Sequence, residues 1–109
     1  MAVDRTALPS GLLSDVKNWL DITWDDEATD TKVSGLIASG MAYLDGKLGV
    51  DGDYTRDGLP RTLLFEYCRY GRDSALDVFE NNYRSMILDM QNGRKVSAFE
   101  LENAVPAQQ

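Results

Sequence analysis

Residues 33–48 read VSGLIASGMAYLDGKL, and this stretch decides the fold class. Its larger apolar side chains step by three or four positions along one helical face: Val33, Leu36, Ile37, Met41, Leu44 and Leu48. Gly49 follows the last of them, where a left-handed residue commonly ends a helix. The pattern predicts an amphipathic helix over residues 30–48, with Thr29 or Asp30 as its N-cap.

Three glycines interrupt this helix at Gly35, Gly40 and Gly46. Each costs about 1 kcal/mol relative to alanine in a helix interior. We expect close packing of a neighbouring helix to offset that cost.

Two further segments flank the central helix and show apolar residues at helical spacing. Residues 11–20 form the first, with Ser10 as the expected N-cap, and its apolar stripe is Leu12, Leu13, Val16, Trp19 and Leu20. Residues 60–72 form the second. They begin with Pro60, which fits the first turn because no backbone N–H is needed there.

A fourth helix is predicted over residues 75–91, with Asn92 and Gly93 at its end. A break before it is expected near Gly71 to Ser74. The spacing of Ser74 and Asp77 resembles a capping box.

These elements predict an all-α fold, a small four-helix bundle-like domain over residues 1–92, followed by a flexible tail over residues 93–109. The segment from Asp21 to Thr29 is acidic and aperiodic, which predicts a loop. The tail carries apolar residues with nothing local to pack on, so it is expected to dock on a partner. Its candidate interface residues are Arg94, Lys95, Val96, Phe99 and Leu101.

Composition limits the classes of function. The chain has 109 residues, enough for one domain, and its net charge of −7 disfavours non-specific binding to nucleic acid. The longest uncharged stretch, residues 33–44, is too short and polar to cross a membrane. Residues 1–9 show no apolar signal segment, which predicts synthesis in the cytoplasm.

No catalytic residue, cofactor or metal site is predicted. The chain has no histidine, and its single cysteine, Cys68, lies on an apolar helix face and is expected to be a buried thiol. The loop from Asp51 to Gly58 begins like a calcium-binding loop, but Thr55, Arg56 and Thr62 stand where that loop needs an acid or amide, a glycine and a glutamate.

Several short motifs between Leu12 and Gln91 resemble the head–tail connector (adaptor) proteins of tailed bacteriophages and prophages. In the first half they are VKNWLDI at residues 16–22, AYL at residues 42–44 and LG at residues 48–49. In the second half they are YCRYGR at residues 67–72 and ALDVFE at residues 75–80, followed by Tyr83, and they look closest to connectors from phages of Gram-positive hosts. Thr31 and Lys32 depart from the family, which often has apolar residues there.

The resemblance implies a structural virion protein in the neck between head and tail. It implies a homo-oligomeric ring, twelvefold like the portal, that docks beneath the portal protein and extends the DNA channel. The tail-side partners would be the other head–tail joining proteins, the stopper or tail-completion proteins. DNA would only pass through the channel, and no membrane would be involved.

An alternative of another class is a small acidic helical inhibitor, or DNA mimic, that binds a host enzyme. Such a protein needs a dense carboxylate face, whereas the acids here spread among loops and helix ends. The Asp51 loop and the carboxylate pair Asp25 and Asp26 are better interpreted as solvated turns than as chemistry.

Overall fold

The computed structural model describes residues 8–94 of the chain. This part is all-helical, which confirms the predicted fold class. Within it lie five helices and no strand: α1 (Leu12–Trp19), α2 (Glu27–Leu48), α3 (Leu59–Arg72), α4 (Leu76–Asn82) and α5 (residues 84–94).

The long helix α2 is the centre of the domain. It packs on both α1 and α3, while α3 also contacts α1 and α4. The buried side chains form one cluster: Leu12, Val16, Leu20, Ile22, Val33, Ile37, Leu44, Tyr54, Leu63, Leu64, Cys68, Phe79, Ile87 and Met90. Burial of this apolar surface is the main favourable contribution to folding.

The predicted close packing of a neighbouring helix against the glycines of α2 is confirmed at Gly40 and is wrong at Gly46. A Cβ atom added to Gly40 would lie 2.7 Å from Cδ1 of Leu64 and 2.8 Å from Cδ1 of Tyr67, so α3 approaches the backbone of α2 there. A Cβ atom at Gly46 would meet nothing within 4 Å, because that position faces outward.

The predicted start of α2 is wrong by three residues. The N-cap is Asp26, whose Oδ2 accepts hydrogen bonds from the Thr29 backbone N–H at 3.0 Å and the Thr29 hydroxyl at 2.8 Å. Thr29 therefore lies inside the helix as a donor to the cap. The predicted end is confirmed, because Gly49 has a left-handed φ of 79°.

The N-cap predicted for α1 is also wrong. Gly11 occupies the cap position with a φ of 81°, and no side chain caps this helix. Pro60 lies in the first turn of α3, as predicted.

The helix predicted over residues 75–91 is split at Tyr83. Asn82 donates to the Tyr70 hydroxyl at 3.2 Å, and the Tyr83 hydroxyl donates to the Glu66 carboxylate. These contacts hold the chain where it leaves the regular helical path. The predicted end at Asn92 and Gly93 is wrong as well, because α5 continues to residue 94.

The predicted break between the third and fourth helices is confirmed. Helix α3 ends at Arg72, and Ser74 has a positive φ of 57°. The capping box of Ser74 and Asp77 does not form, because Ala75 takes the cap position of α4 without a side-chain hydrogen bond.

Candidate interaction surfaces

One lysine links the loop from Leu20 to Asp26 to both α1 and α2. Lys17 Nζ lies 2.7 Å from Oδ1 of Asp30 and 3.2 Å from Oδ1 of Asp25. The hydrogen bond with Asp30, ahead of that with Asp25, raises the pKa of Lys17 above its ordinary value. The ammonium group therefore stays charged while its side chain is only 10% exposed.

This loop buries Ile22 and leaves Trp24 outside. The Ile22 backbone N–H donates to the Lys17 carbonyl at 2.9 Å, after Asp21 adopts a positive φ of 61°. Trp24 is 49% exposed and forms one edge of an open groove of about 880 Å³. A half-exposed tryptophan beside a groove is typical of binding hot spots.

The groove, called the Trp24 groove below, runs along α2 to the turn after α3. Its lining residues are Ile22, Trp24, Ala28, Thr29, Thr31, Lys32, Val33, Gly35, Leu36, Ser39, Gly71, Arg72 and Ser74. Gly71 allows the close approach of the two helices, because a Cβ atom there would lie 2.5 Å from Cδ2 of Leu36.

The charge of the Trp24 groove is opposite to that of the whole chain. Its two charged lining residues are Lys32 and Arg72, and none of its lining residues is an acid. Arg72 donates to the Leu20 carbonyl, which holds the guanidinium beside the loop. The net charge of the chain is −7, and Trp24 also borders a second pocket that contains Asp25 and Asp30, so the positive charge is confined to the lining of this groove.

A second apolar patch surrounds Trp19, which the helical spacing had placed with the core. Trp19 is 50% exposed, because Leu12, Val16 and Leu20 form the buried face of α1. Its ring lies 6.0 Å from that of Phe65, and the Arg61 guanidinium lies 4.6 Å above the Phe65 ring. The lining residues of this patch are Trp19, Asp57, Gly58, Arg61, Thr62 and Phe65, none of which lines the Trp24 groove.

Exposed aliphatic side chains also lie on α4 and α5. Leu76 is on the first turn of α4 with Val78 beyond it, and Leu88 is on α5. Single exposed apolar residues are normal on a protein surface, so these three do not by themselves indicate a binding site.

Three acids in the described part of the chain make contacts within the domain. Asp45 is buried and accepts from the Tyr54 hydroxyl at 2.6 Å, and Glu66 is buried beneath Arg69. Glu80 accepts from Lys47 at 2.6 Å and from the Tyr43 hydroxyl. These three carboxylates thus stabilise the fold, whereas most other acids of residues 8–94 are exposed.

The Asp51 loop shows no cation site. Asp53 accepts from the Thr55 hydroxyl and backbone N–H, which lowers the pKa of Asp53, and Tyr54 points into the core. Across residues 8–94 no three potential metal ligands come together. Cys68 is buried as expected, and burial raises its pKa to about 12, which keeps the thiol protonated at neutral pH.

Of the predicted interface residues, only Arg94 lies within the described part of the chain. It is exposed at the end of α5. Gln91, one turn earlier, donates to the Lys47 carbonyl at 3.0 Å, which places this end of α5 beside the end of α2. Lys95, Val96, Phe99 and Leu101 lie outside the described residues.

Sequence reasoning identified neither tryptophan patch nor the Lys17 and Asp45 networks. Asp30 lies on another helix, and the other partners of Lys17 and Asp45 lie in loops, so no helical period marks these contacts. One usable signal was Trp24 within an acidic loop that the periodicity left unexplained.

In residues 8–94 no helix is both long and apolar enough to cross a membrane. Comparison with family models, with curated proteins and with solved structures finds no match for this chain.

Proposed function

We propose that this protein is a head–tail connector subunit of a tailed phage, a structural component that forms a ring beneath the portal and extends the DNA channel. In this role the protein contacts neighbouring copies, the portal and the tail-side joining proteins. Arg94, Lys95, Val96, Phe99 and Leu101 belong to those contacts.

The observation that supports this proposal best is the pair of separate tryptophan patches. Trp19 and Trp24 are each about half exposed, and their patches share no lining residue. Two distinct apolar patches on so small a domain fit a subunit with several neighbours. The short motifs that resemble the connector family give the kind of assembly.

The charge of the chain agrees with a channel role. A net charge of −7 repels phosphate, so DNA would pass an acidic ring without binding to its wall.

The inhibitor or DNA-mimic alternative has less support. A DNA mimic needs many free carboxylates on one face, whereas Asp26, Asp45 and Glu66 accept hydrogen bonds within the domain. No observation on the described surface favours that alternative over the connector.

Electron microscopy of the full chain mixed with the portal encoded in the same genome tests the proposal. We expect a ring of additional density under the portal, with the portal's rotational symmetry, and no such density for portal alone. A saturated mixture in which the portal gains no density would overturn the connector function.

Deleting residues 95–109 gives a second test. We expect helix content and melting temperature to stay within about 3 °C of the full chain, because the apolar cluster of the described residues ends at Met90. Portal binding should be lost. Unfolding of the truncated chain would show that the segment belongs to the core, and unchanged portal binding would show that it carries no assembly contact.

A further inference from the structure

We propose that the Trp24 groove binds residues 98–102, Ala-Phe-Glu-Leu-Glu, of a second copy of this chain. This inference rests on the proposed function, because it supplies the contact that joins one ring subunit to the next. It assigns the C-terminal segment to a neighbouring subunit, so that the portal recognises the ring that this contact builds.

The groove combines an apolar wall with positive charge. Trp24 is half exposed along one side, and the partly buried Leu36 faces it from α2. Lys32 and Arg72 are exposed, and Lys32 makes no ion pair within residues 8–94. Such a surface fits a segment that carries both large apolar side chains and carboxylates.

Residues 98–102 have this composition. Phe99 and Leu101 are the large apolar residues, and Glu100 and Glu102 are the acids. The residues just before them, Arg94 and Lys95, are basic and would be repelled by Lys32 and Arg72. Charge complementarity therefore selects the later part of the segment.

The direction of α5 favours a second copy over the same chain. Tyr83 contacts Glu66 on α3, and Gln91 contacts Lys47 at the end of α2. Leu36 in the groove packs at Gly71, further toward the start of α2. Helix α5 therefore runs toward the end of α2 and away from the groove.

The distance from the end of α2 to Leu36 also favours a second copy. Leu36 lies about 17 Å from Lys47 along the axis of α2, at 1.5 Å per residue. Phe99 comes five positions after Arg94, and five fully extended residues span at most about 18 Å. Phe99 of the same chain would have to turn back and be fully extended to come level with Leu36.

A donor segment at one end of α2 and an acceptor groove toward the other make a head-to-tail contact. Contacts of this kind close into rings when the rotation between copies allows it. The inference therefore gives the proposed ring a physical contact.

A photocross-linking experiment identifies the occupant of the groove. The full chain carries Phe99→p-benzoylphenylalanine and is mixed as light and nitrogen-15-labelled copies, both at high concentration and on the portal. We expect cross-links between light and heavy copies at residues 22–39 or 71–74. Cross-links only within one copy, only to the portal, or only elsewhere would overturn the inference.

A charge exchange tests the chemistry. Lys32→Glu should weaken self-association in sedimentation velocity by about tenfold, and the pair Glu100→Lys with Glu102→Lys should do the same. Combining all three changes should restore most of the loss. Arg56→Glu is the control, since it changes net charge equally on an exposed loop outside the groove. Equal effects of Lys32→Glu and Arg56→Glu, or no restoration, would contradict the assignment.

The aromatic edge has a matched control. Trp24→Ala should weaken self-association by about thirtyfold, as expected for a central hot spot, and Trp19→Ala by less than threefold.

The groove assignment and the connector function can fail separately. Cross-links between copies without any ring on the portal would reject the connector function alone, and a ring without these cross-links would reject the groove assignment alone.

Discussion

The two loops that flank α2 are held in different ways. The loop after α2, residues 49–58, returns Tyr54 to the core, where its hydroxyl donates to Asp45 at 2.6 Å and the Gly52 N–H donates to the same oxygen at 2.8 Å. The loop before α2 also buries one side chain, Ile22, but its side-chain ion pair runs from Lys17 to the exposed Asp25, and it keeps Trp24 outside.

This difference predicts that the loop after α2 is the more rigid of the two and that the loop before α2 is the more exposed. Hydrogen bonds to a buried carboxylate are directional and protected from water, so they fix the second loop firmly. Ion pairs that reach a fully exposed acid such as Asp25 are screened and contribute little to stability. The proposed docking groove lies beside the loop before α2, which is the more weakly held of the two in its side-chain polar contacts, and binding surfaces are often drawn from less stable regions.

The largest loss of stability is expected for a change in the loop after α2. Tyr54→Ala should lower the free energy of unfolding by about 3–5 kcal/mol, because it removes a buried ring and one of the two donors to Asp45. Urea unfolding followed by circular dichroism measures the change. Tyr54→Phe is the matched control and should cost about 1–3 kcal/mol, since only the hydroxyl is lost. If the alanine and phenylalanine variants lose the same stability, packing of the ring is not what holds the loop.

A smaller loss of stability is expected when the Lys17 ion pairs of the loop before α2 are removed. Lys17→Met keeps the aliphatic stem and removes the ion pairs, so we expect a smaller fall in melting temperature than for Tyr54→Ala. The loop should become more mobile, which the fluorescence anisotropy of Trp24 reports in a Trp19→Phe background. A melting temperature below that of Tyr54→Ala would reverse the comparison between the loops.

The same ion pairs predict a loss at alkaline pH. The pKa of Lys17 is raised above 10.5 in the folded chain, chiefly by Asp30. Its contribution to stability is therefore complete below about pH 10 and is lost as the pH rises through the folded pKa. Lys17→Met should remove this part of the alkaline loss, and unchanged alkaline behaviour would contradict it.

Local patterns predicted the parts of the fold that depend on local chemistry. The apolar spacing of α2, the glycine at its end and the proline at the start of α3 all act within a few residues, and each was confirmed. The split at Tyr83 was missed because the apolar spacing continues through it, and the contact that Tyr83 makes there is with Glu66, seventeen positions earlier. The exposure of Trp19 was missed for a similar reason, since spacing alone cannot say which edge of an apolar stripe meets the core.

The start of α2 could have been predicted better. Aspartate is as good an N-cap as threonine, and Asp26 stands three residues before Thr29 at the spacing of a cap. The groove itself could not be derived, because it joins Trp24, Leu36 and Gly71 through tertiary packing. The groove residues on α2 follow a helical period, but Trp24 and Gly71 come from other parts of the chain and no local pattern links them to that face.

The smallest effect we predict concerns this cap, at the edge of the weakly held loop. Thr29 donates to Asp26 from its hydroxyl and from its backbone N–H, and these bonds lower the pKa of Asp26 below 3.8. A pKa that is lowered in the folded chain means that the stabilisation is complete above the pKa of the unfolded chain and is lost as the pH falls through the pKa of the folded chain.

Asp26→Asn keeps a good cap without the charge, so its melting temperature at pH 7 should lie within about 3 °C of the parent. Its fall between pH 5 and pH 2.5 should be shallower, because one titrating group has been removed. Melting curves measured by circular dichroism across that range test this, with Asp51→Asn as a control that changes an exposed acid outside the cap. Parallel acid profiles for Asp26→Asn and the parent would show that the cap does not depend on the charge of Asp26.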